Sequence, residues 1–321
     1  MKKGIYILVF LMILSSMVGC STKENVQTTI RVASLKGPTS IGLVKLMEDN
    51  KNGESKNKYD FFMTATADEI VAKLGKGELD VAAIPANLAS VLYNKMDGKI
   101  SVAAINTLSV LYIVENGGNL NSLEDLKGKT IYSTGKGTTP EHVLNYVLEA
   151  NGIDPEKDVN IEYKSEAAEV ATLLASEEDV IALLPQPFIT ASQMKNDNIK
   201  IAFSMEEEWQ KLNPNESQVT GVVVVTDEFL EKNQEAVSTF LEEYKKSVEF
   251  VNSNVDEAAK MVGDLDIIPE PVAVKAIPLC NVVFITGDEM EEKLGGYLAV
   301  LHGSDPKSVG GNLPDEEFYF K

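Results

Sequence analysis

The sequence predicts an α/β fold of two similar lobes joined by two crossing strands, and three observations predict it. Short apolar runs alternate with stretches of helical periodicity, the pattern of strand-helix-strand crossovers in parallel sheets. That pattern runs three times between Thr28 and Lys95 and three times again between Gly128 and Lys195. With 321 residues, the chain also exceeds what one hydrophobic core usually sustains.

The first series begins with the strand "TTIRVAS" from Thr28, rich in β-branched residues, and the helix "TSIGLVKLMEDN" from Thr39. The strand "YDFFMTA" from Tyr59, the helix "DEIVAKLGKG" from Asp68, the strand "LDVAAIP" from Leu79 and the helix "NLASVLYNK" from Asn87 complete it. After "ISVAAINTLSVLYIVEN" from Ile100, the second series opens with the strand "GKTIYST" from Gly128 and the helix "PEHVLNYVLEANG" from Pro140. It continues through "VNIEYK" (strand), "AAEVATLLASE" (helix), "DVIALLP" (strand) and "FITASQMK" (helix). No residue-level repeat accompanies this shared order.

Then "QVTGVVVVTDEFL" from Gln218 supplies a very apolar strand. In the following "EAVSTFLEEYKKSVEFVNSN", Val237, Phe240, Leu241, Tyr244 and Val248 trace one helical face. The simplest path crosses between lobes near Thr107 to Tyr112 and returns near Val219 to Val225. Lobe one is then 28–110 plus 222–321 and lobe two 111–221, with a cleft beneath a two-strand hinge.

The N-terminus fixes the expected compartment. "MKKGIYILVFLMILSSMVGC" has two lysines, an apolar run from Ile5 to Leu14 and small residues before a cysteine, so residues 1–19 read as a secretory signal peptide. The run falls short of the ~20 residues a spanning helix needs. "MVGC" resembles the lipobox of bacterial lipoproteins, with Met17 where that pattern prefers Leu. The resemblance implies acylation of Cys20, palmitate among the acyl chains, and durable attachment at the extracytoplasmic face of the cell membrane. Residues 20–27 are polar and aperiodic, a tether. An ordinary exported protein with an incidental cysteine is the competing reading.

A formal net charge of -20 argues against nucleic acid or anionic headgroups as partners. Arg31 is the one arginine, so guanidinium clamps on an anion have no other source. Cys280, the only other cysteine, sits in "IPLCNVVFI" and reads as a small buried apolar residue.

Together the lipoprotein signal, "LKGPTSIGLVKLM" after a strand, "GELDVAAIPANLASVLYNK" and "SLEDLKGKTIYSTGKGTTPEHVLNYVLEANGID" resemble the substrate-binding proteins of ABC importers. The branch is that of the nitrate, taurine, alkanesulfonate and thiamine-pyrimidine-precursor binders. The resemblance covers nearly the whole mature chain, most specifically at "GELDVAAIPANLA" and "LEDLKGKTI". It implies a type II periplasmic-binding-protein fold of two Rossmann-like lobes, a small-molecule ligand, permease and ATPase subunits as partners, and a monomer.

In open α/β sheets ligands bind beyond the carboxyl ends of strands. Two such loops share one chemistry. In "LKGPTSIG", Lys36 and Gly37 precede Pro38, Thr39 and Ser40, offering close backbone approach, hydroxyls and a slightly positive helix start. In "STGKGTTPEH", Thr134, Gly137, Thr138 and Thr139 lead into the helix that Pro140 starts. Thr64, Pro85, Asn87, Gln186 and Thr220 stand at other strand ends and add neutral donors and acceptors. For each a bland reading competes: self-capped helices, Asn87 as an N-cap, and prolines shaping a turn around Gln186. Tyr112, Tyr132, Phe188 and Trp209 could stack on a flat ligand, and Trp209, after "MEEE", suits a lobe edge as well as a core. Within these two loops only Lys36 and Lys136 bring positive charge, so a small polar or heterocyclic organic ligand is favoured over a bare oxyanion.

The glycine spacing does not match a nucleotide-binding phosphate loop. Enzymes related to pyrimidine-precursor synthesis use the same fold, so the fold alone decides nothing. His142 and His302 have no sequence partner for a nucleophile or metal pair, so no catalytic residue, metal or cofactor is expected. A surface sensor of small molecules without transport is the other alternative.

Overall fold

The structure is a computed structural model that describes residues 28–321. The signal peptide and the whole tether, Cys20 included, lie outside the described residues. Among the described residues no helix is long and apolar enough to cross a membrane.

The strands are, in order, β1 (Thr29–Leu35), β2 (Lys58–Thr64), β3 (Val81–Pro85), β4 (Ile100–Leu108), β5 (Leu111–Asn116) and β6 (Thr130–Ser133). They continue with β7 (Asn160–Tyr163), β8 (Val180–Pro185), β9 (Ile199–Ser204), β10 (Val219–Thr226) and β11 (Val282–Ile285). Six form one sheet in the order β11-β4-β10-β3-β1-β2, and five form a second in the order β7-β6-β8-β5-β9. Each sheet has a parallel heart, β3-β1-β2 and β7-β6-β8, flanked by antiparallel strands. The two α/β lobes expected from the sequence are these two sheets with their helices.

The stretch "ISVAAINTLSVLYIVEN" is two strands in different sheets, β4 in the first and β5 in the second, separated only by Ser109 and Val110. β10 carries the chain back, pairing antiparallel with both β3 and β4. Its valines are buried on both faces: Val222 and Val224 join the cluster of Met290 and Leu294, Val223 and Val225 that of Phe240 and Tyr244. A central strand buried on both sides reads as a continuous apolar run, which is how "VVVV" reads.

The helix Gln234–Ser253 buries Val237, Phe240, Tyr244 and Val248 along the predicted face. The predicted helix from Thr39, by contrast, is broken into Pro38–Ile41 and Val44–Asn52. At the break Gly42 and Leu43 keep helical backbone angles, and the Leu43 N-H bonds back to Ser40 O at 3.0 Å, a tighter i→i−3 turn. A Cβ on Gly42 would lie 3.1 Å from Tyr244 Oη, Val248 Cγ2 and Val282 Cγ1, so glycine lets this turn lie against the helix Gln234–Ser253. β9, the helix Met205–Leu212 and β11 had no counterpart in the sequence reading.

One apolar cluster runs through both lobes, from Ala33, Ile84 and Ile105 on the first sheet to Ile113 and Leu183 on the second and Val143 on the helix Thr139–Ala150. Trp209 lies inside it, its ring 5.0 Å from that of Tyr146 and 5.3 Å from that of Tyr297. The lobe-edge alternative for Trp209 is thereby corrected: Met205 and Trp209 are four apart and share the inward helix face, while Glu207 stays in solvent. Cys280 is buried, as its apolar flanks predicted, and burial pushes its thiol up to about 12.

Candidate functional site

The loops after β1, β3, β6 and β8 approach one another between the sheets. In the first loop the Lys36 N-H donates to Thr64 O at 2.8 Å, which binds the loop to the end of β2. Gly37 has φ 133°, a conformation side chains disfavour. Ser40 Oγ donates to Gly37 O at 2.9 Å and accepts from Gly37 N at 3.3 Å, and Thr39 Oγ1 donates to Leu35 O at 3.2 Å. Both hydroxyls are thus engaged by the loop itself. The helix that Pro38 starts has only four residues, so the positive helix start expected there is corrected: too few peptide dipoles align to build one.

The second loop differs. Its helix, Thr139–Ala150, has twelve residues and a full dipole at Thr138, with Pro140 in the first turn. Thr138 does not cap by side chain; its Oγ1 donates to Gly135 O at 2.7 Å. The Glu141 carboxylate takes the Gly137 N-H. Thr134 is half-buried and accepts the Ser133 hydroxyl at its carbonyl, at 3.2 Å.

Asn87 joins the two lobes. It is not the N-cap, a position held by Pro85, but lies within the helix Ala86–Lys95, fully buried. Its Nδ2 donates to Ser308 O at 3.0 Å and to Gly137 O at 3.4 Å, and its Oδ1 accepts from Thr139 Oγ1 at 3.3 Å. An amide offers two donors and an acceptor in one plane, and all are used on partners far apart in sequence. Nearby, a Cβ on Gly37 would lie 3.5 Å from Phe188 Cε2, so the first loop faces the start of the helix after β8. Gln186, in that same loop, is buried; its Oε1 accepts from Thr190 Oγ1 at 2.8 Å, and its N-H donates to Val110 O at 3.0 Å.

Both lysines turn away from the facing loops. Lys36 Nζ donates to Asp266 O at 3.1 Å and lies 3.6 Å from that residue's carboxylate. Lys136 is exposed, its Nζ 5.8 Å from the centre of the Tyr163 ring. Thr64 Oγ1 accepts the Thr66 N-H at 3.3 Å, and Pro85 pairs with Gly221 where β3 meets β10.

The crossing strands hold what the sequence reading missed. Thr107 Oγ1 and Gln218 Nε2 are buried and make no hydrogen bond with the described residues, and the same holds for Thr220 Oγ1, which the sequence did single out. Ser109 Oγ donates to Gln218 Oε1, and Glu206 lies against both residues. Burial holds the Glu206 carboxyl above its ordinary range despite hydrogen bonds from Gln210 and Gln218. The one available signal was polar side chains inside apolar strands, as in "AINTLSVL" and "SQVTGVVVV".

Residues 99–258 match the family model described as NMT1/THI5 like. That stretch, just under half of the chain, is similar to this family. That stretch holds both crossing strands and every candidate residue of the second lobe, while Lys36 to Asn87 precede it. No curated protein matches this chain. Among solved structures, it is similar to an ABC transporter protein from Parabacteroides distasonis at 24% identity and TM-score 0.75, over 92% of this chain and 99% of that one. The periplasmic aliphatic sulphonate binding protein SsuA of Escherichia coli is similar at 13% identity and TM-score 0.71, over 91% and 92% of the two chains. The alkanesulfonate-binding protein SsuA of Xanthomonas axonopodis pv. citri, bound to MOPS, follows at 15% identity and TM-score 0.69, over 89% and 94%. At these identities the likeness carries the fold, and this chain has the periplasmic-binding-protein fold. Family model and neighbours fall in the branch that the sequence resembles.

Proposed function

We propose that this chain is an extracytoplasmic solute-binding lipoprotein of an ABC importer, anchored through Cys20 and acting as a monomer. It captures a small polar or heterocyclic organic ligand between its lobes and delivers it to a permease driven by separate ATPase subunits. The observation that carries this reading is the meeting of loops from two sheets, Gly37 against Phe188 and Asn87 against Gly137 and Thr139, above crossing strands that hold unpartnered buried hydroxyls. A ligand touching both loops favours the closed arrangement by its differential affinity for it.

Gly37, Thr138 and Thr220 are the proposed ligand contacts, with Lys36, Pro38, Thr39, Ser40, Thr64, Pro85, Asn87, Thr134, Gly137, Thr139 and Gln186 shaping the loops around them. A neutral ligand fits better than a bare oxyanion. Arg31 is held by Asp80, with Nε to Oδ2 at 2.9 Å, and both loop lysines are engaged elsewhere. The named sulfonate binders keep an anionic ligand in the test as the rival.

The test is a thermal-shift screen of the full chain against pyrimidines, flavins, alkanesulfonates, taurine, nitrate, bicarbonate and amino acids. A ligand at a thousand times its Kd adds about 4 kcal/mol of stability. Thr220→Val removes a hydroxyl that none of the described residues uses, so it should leave unfolding unchanged and weaken binding about 3- to 10-fold. Chemical conversion of the bound compound would overturn the reading. So would a flat screen with no small molecule released on denaturation.

A further inference from the structure

The structure holds a concavity that none of the candidate loop residues lines. A pocket of about 580 Å³ opens between the helix Thr139–Ala150 with its following turn and the helix Gly287–Ser304 with the turn after it. Its volume falls in the range of small-molecule sites, roughly 300–1,000 Å³. Five carboxylates line it, Glu149, Asp154, Glu156 and Asp158 from the second lobe and Asp305 from beyond β11, and no lysine or arginine is among its lining residues. Asp154 is partly matched by the Lys157 side chain, and Asp158 Oδ2 accepts the Asp154 N-H at 2.9 Å. His142 adds no opposing charge, because burial lowers its pKa.

Acidity alone would mark only a solvated surface. Ser308 points further: it lines the pocket at 1% exposure, and its Oγ makes no hydrogen bond with the described residues. Asn145, also on the lining, keeps a buried Oδ1 without a donor. Both atoms can accept a hydrogen bond, and the carboxylates can only accept. An occupant must therefore be rich in N-H donors and positive charge. Among the described residues no three His, Cys, Asp or Glu side chains converge closely enough to hold one metal ion, so the charge to be matched is spread out.

We propose that this pocket binds an extended organic polycation of the aliphatic polyamine class, its ammonium groups distributed over the Glu149 and Asp305 walls with one directed at Ser308. Those walls belong to different lobes, already linked where Ser304 Oγ donates to Glu149 Oε2 at 3.3 Å. Ser308 O also accepts the Asn87 amide that holds the second-lobe loop. A bound polycation offsets the repulsion between two acidic walls and so braces the junction beside the ligand loops.

The experiment is isothermal titration of the full chain with spermidine at fixed ionic strength, with magnesium chloride at equal charge for comparison. One saturable site per chain is expected, weakened about tenfold or more by the double variant Glu149→Gln, Asp305→Asn and several-fold by Ser308→Ala. Thr220→Val, which concerns the facing loops, should leave spermidine binding unchanged. Glu149 and Asp305 are exposed, and circular dichroism checks the fold; should the double variant not fold, Glu156→Gln is read in its place. Equal competition by magnesium, several weak sites per chain, or unchanged affinity in the carboxylate variants would overturn the proposal.

Discussion

Glu206 shows what one buried side chain does to the response to pH. Its carboxyl sits beside Ser109 and Gln218 where the chain crosses between lobes, and burial raises its pKa above the ordinary 4.5. The folded state then binds the proton more readily than the unfolded state. Stability from this group is therefore fully present below pH 4.5 and is lost as pH rises through the raised folded value. Glu206→Gln keeps the shape and cannot ionise, so its stability relative to the parent should climb as pH rises from 4.5 toward neutrality. Urea midpoints across that range check this; a difference independent of pH would refute it. Asn87 makes a different point at the same scale. The local pattern of a polar residue at a helix start suggested a cap, yet its amide is used on Gly137, Thr139 and Ser308, which no local pattern could announce.

At the scale of elements, β10 governs the geometry of the cleft floor. A Cβ on Gly221 would lie 2.6 Å from Asn106 Oδ1 and 2.7 Å from Thr39 Cγ2, so the glycine lets the returning strand pass under the first loop. Gly221→Ala should destabilise the protein by about 1–3 kcal/mol through overpacking, measured as a lower denaturant midpoint at unchanged slope. The two loops that looked alike in sequence also part company here. Both combine Lys-Gly with Thr and Pro, but one opens a helix of four residues and the other a helix of twelve. After Ile41 the chain tightens to an i→i−3 turn, Leu43 N-H to Ser40 O, with Gly42 lying close to Tyr244, Val248 and Val282. Those partners lie some two hundred residues along the chain, outside any window in which periodicity can be read.

For the whole molecule, the continuous core matters more than the division into lobes. Two sheets joined by two crossings could unfold separately, yet the apolar cluster through Trp209, Tyr146 and Tyr297 ties them together. Exposing that seam costs both lobes at once, so equilibrium unfolding should be a single transition. Trp209 is the only tryptophan and lies on the seam, so its fluorescence and far-UV circular dichroism should give one midpoint. Two separated midpoints would show that the seam does not couple the lobes.

The alternation of apolar runs with helical periodicity fixed the fold class and most elements, because strand and helix periods are local properties of the side chains. It also located the loops at the strand ends, the apolar character of β10, the inward face of Gln234–Ser253 and the burial of Cys280. What the pattern did not hold was direction and partnership. Lys36 turning to Asp266, Trp209 lying in the core, Asn87 bridging the lobes and the unpartnered hydroxyls of Thr107 and Thr220 became visible only in three dimensions. Burial and hydrogen bonding depend on which distant segments meet, and that is settled by packing the two sheets against each other.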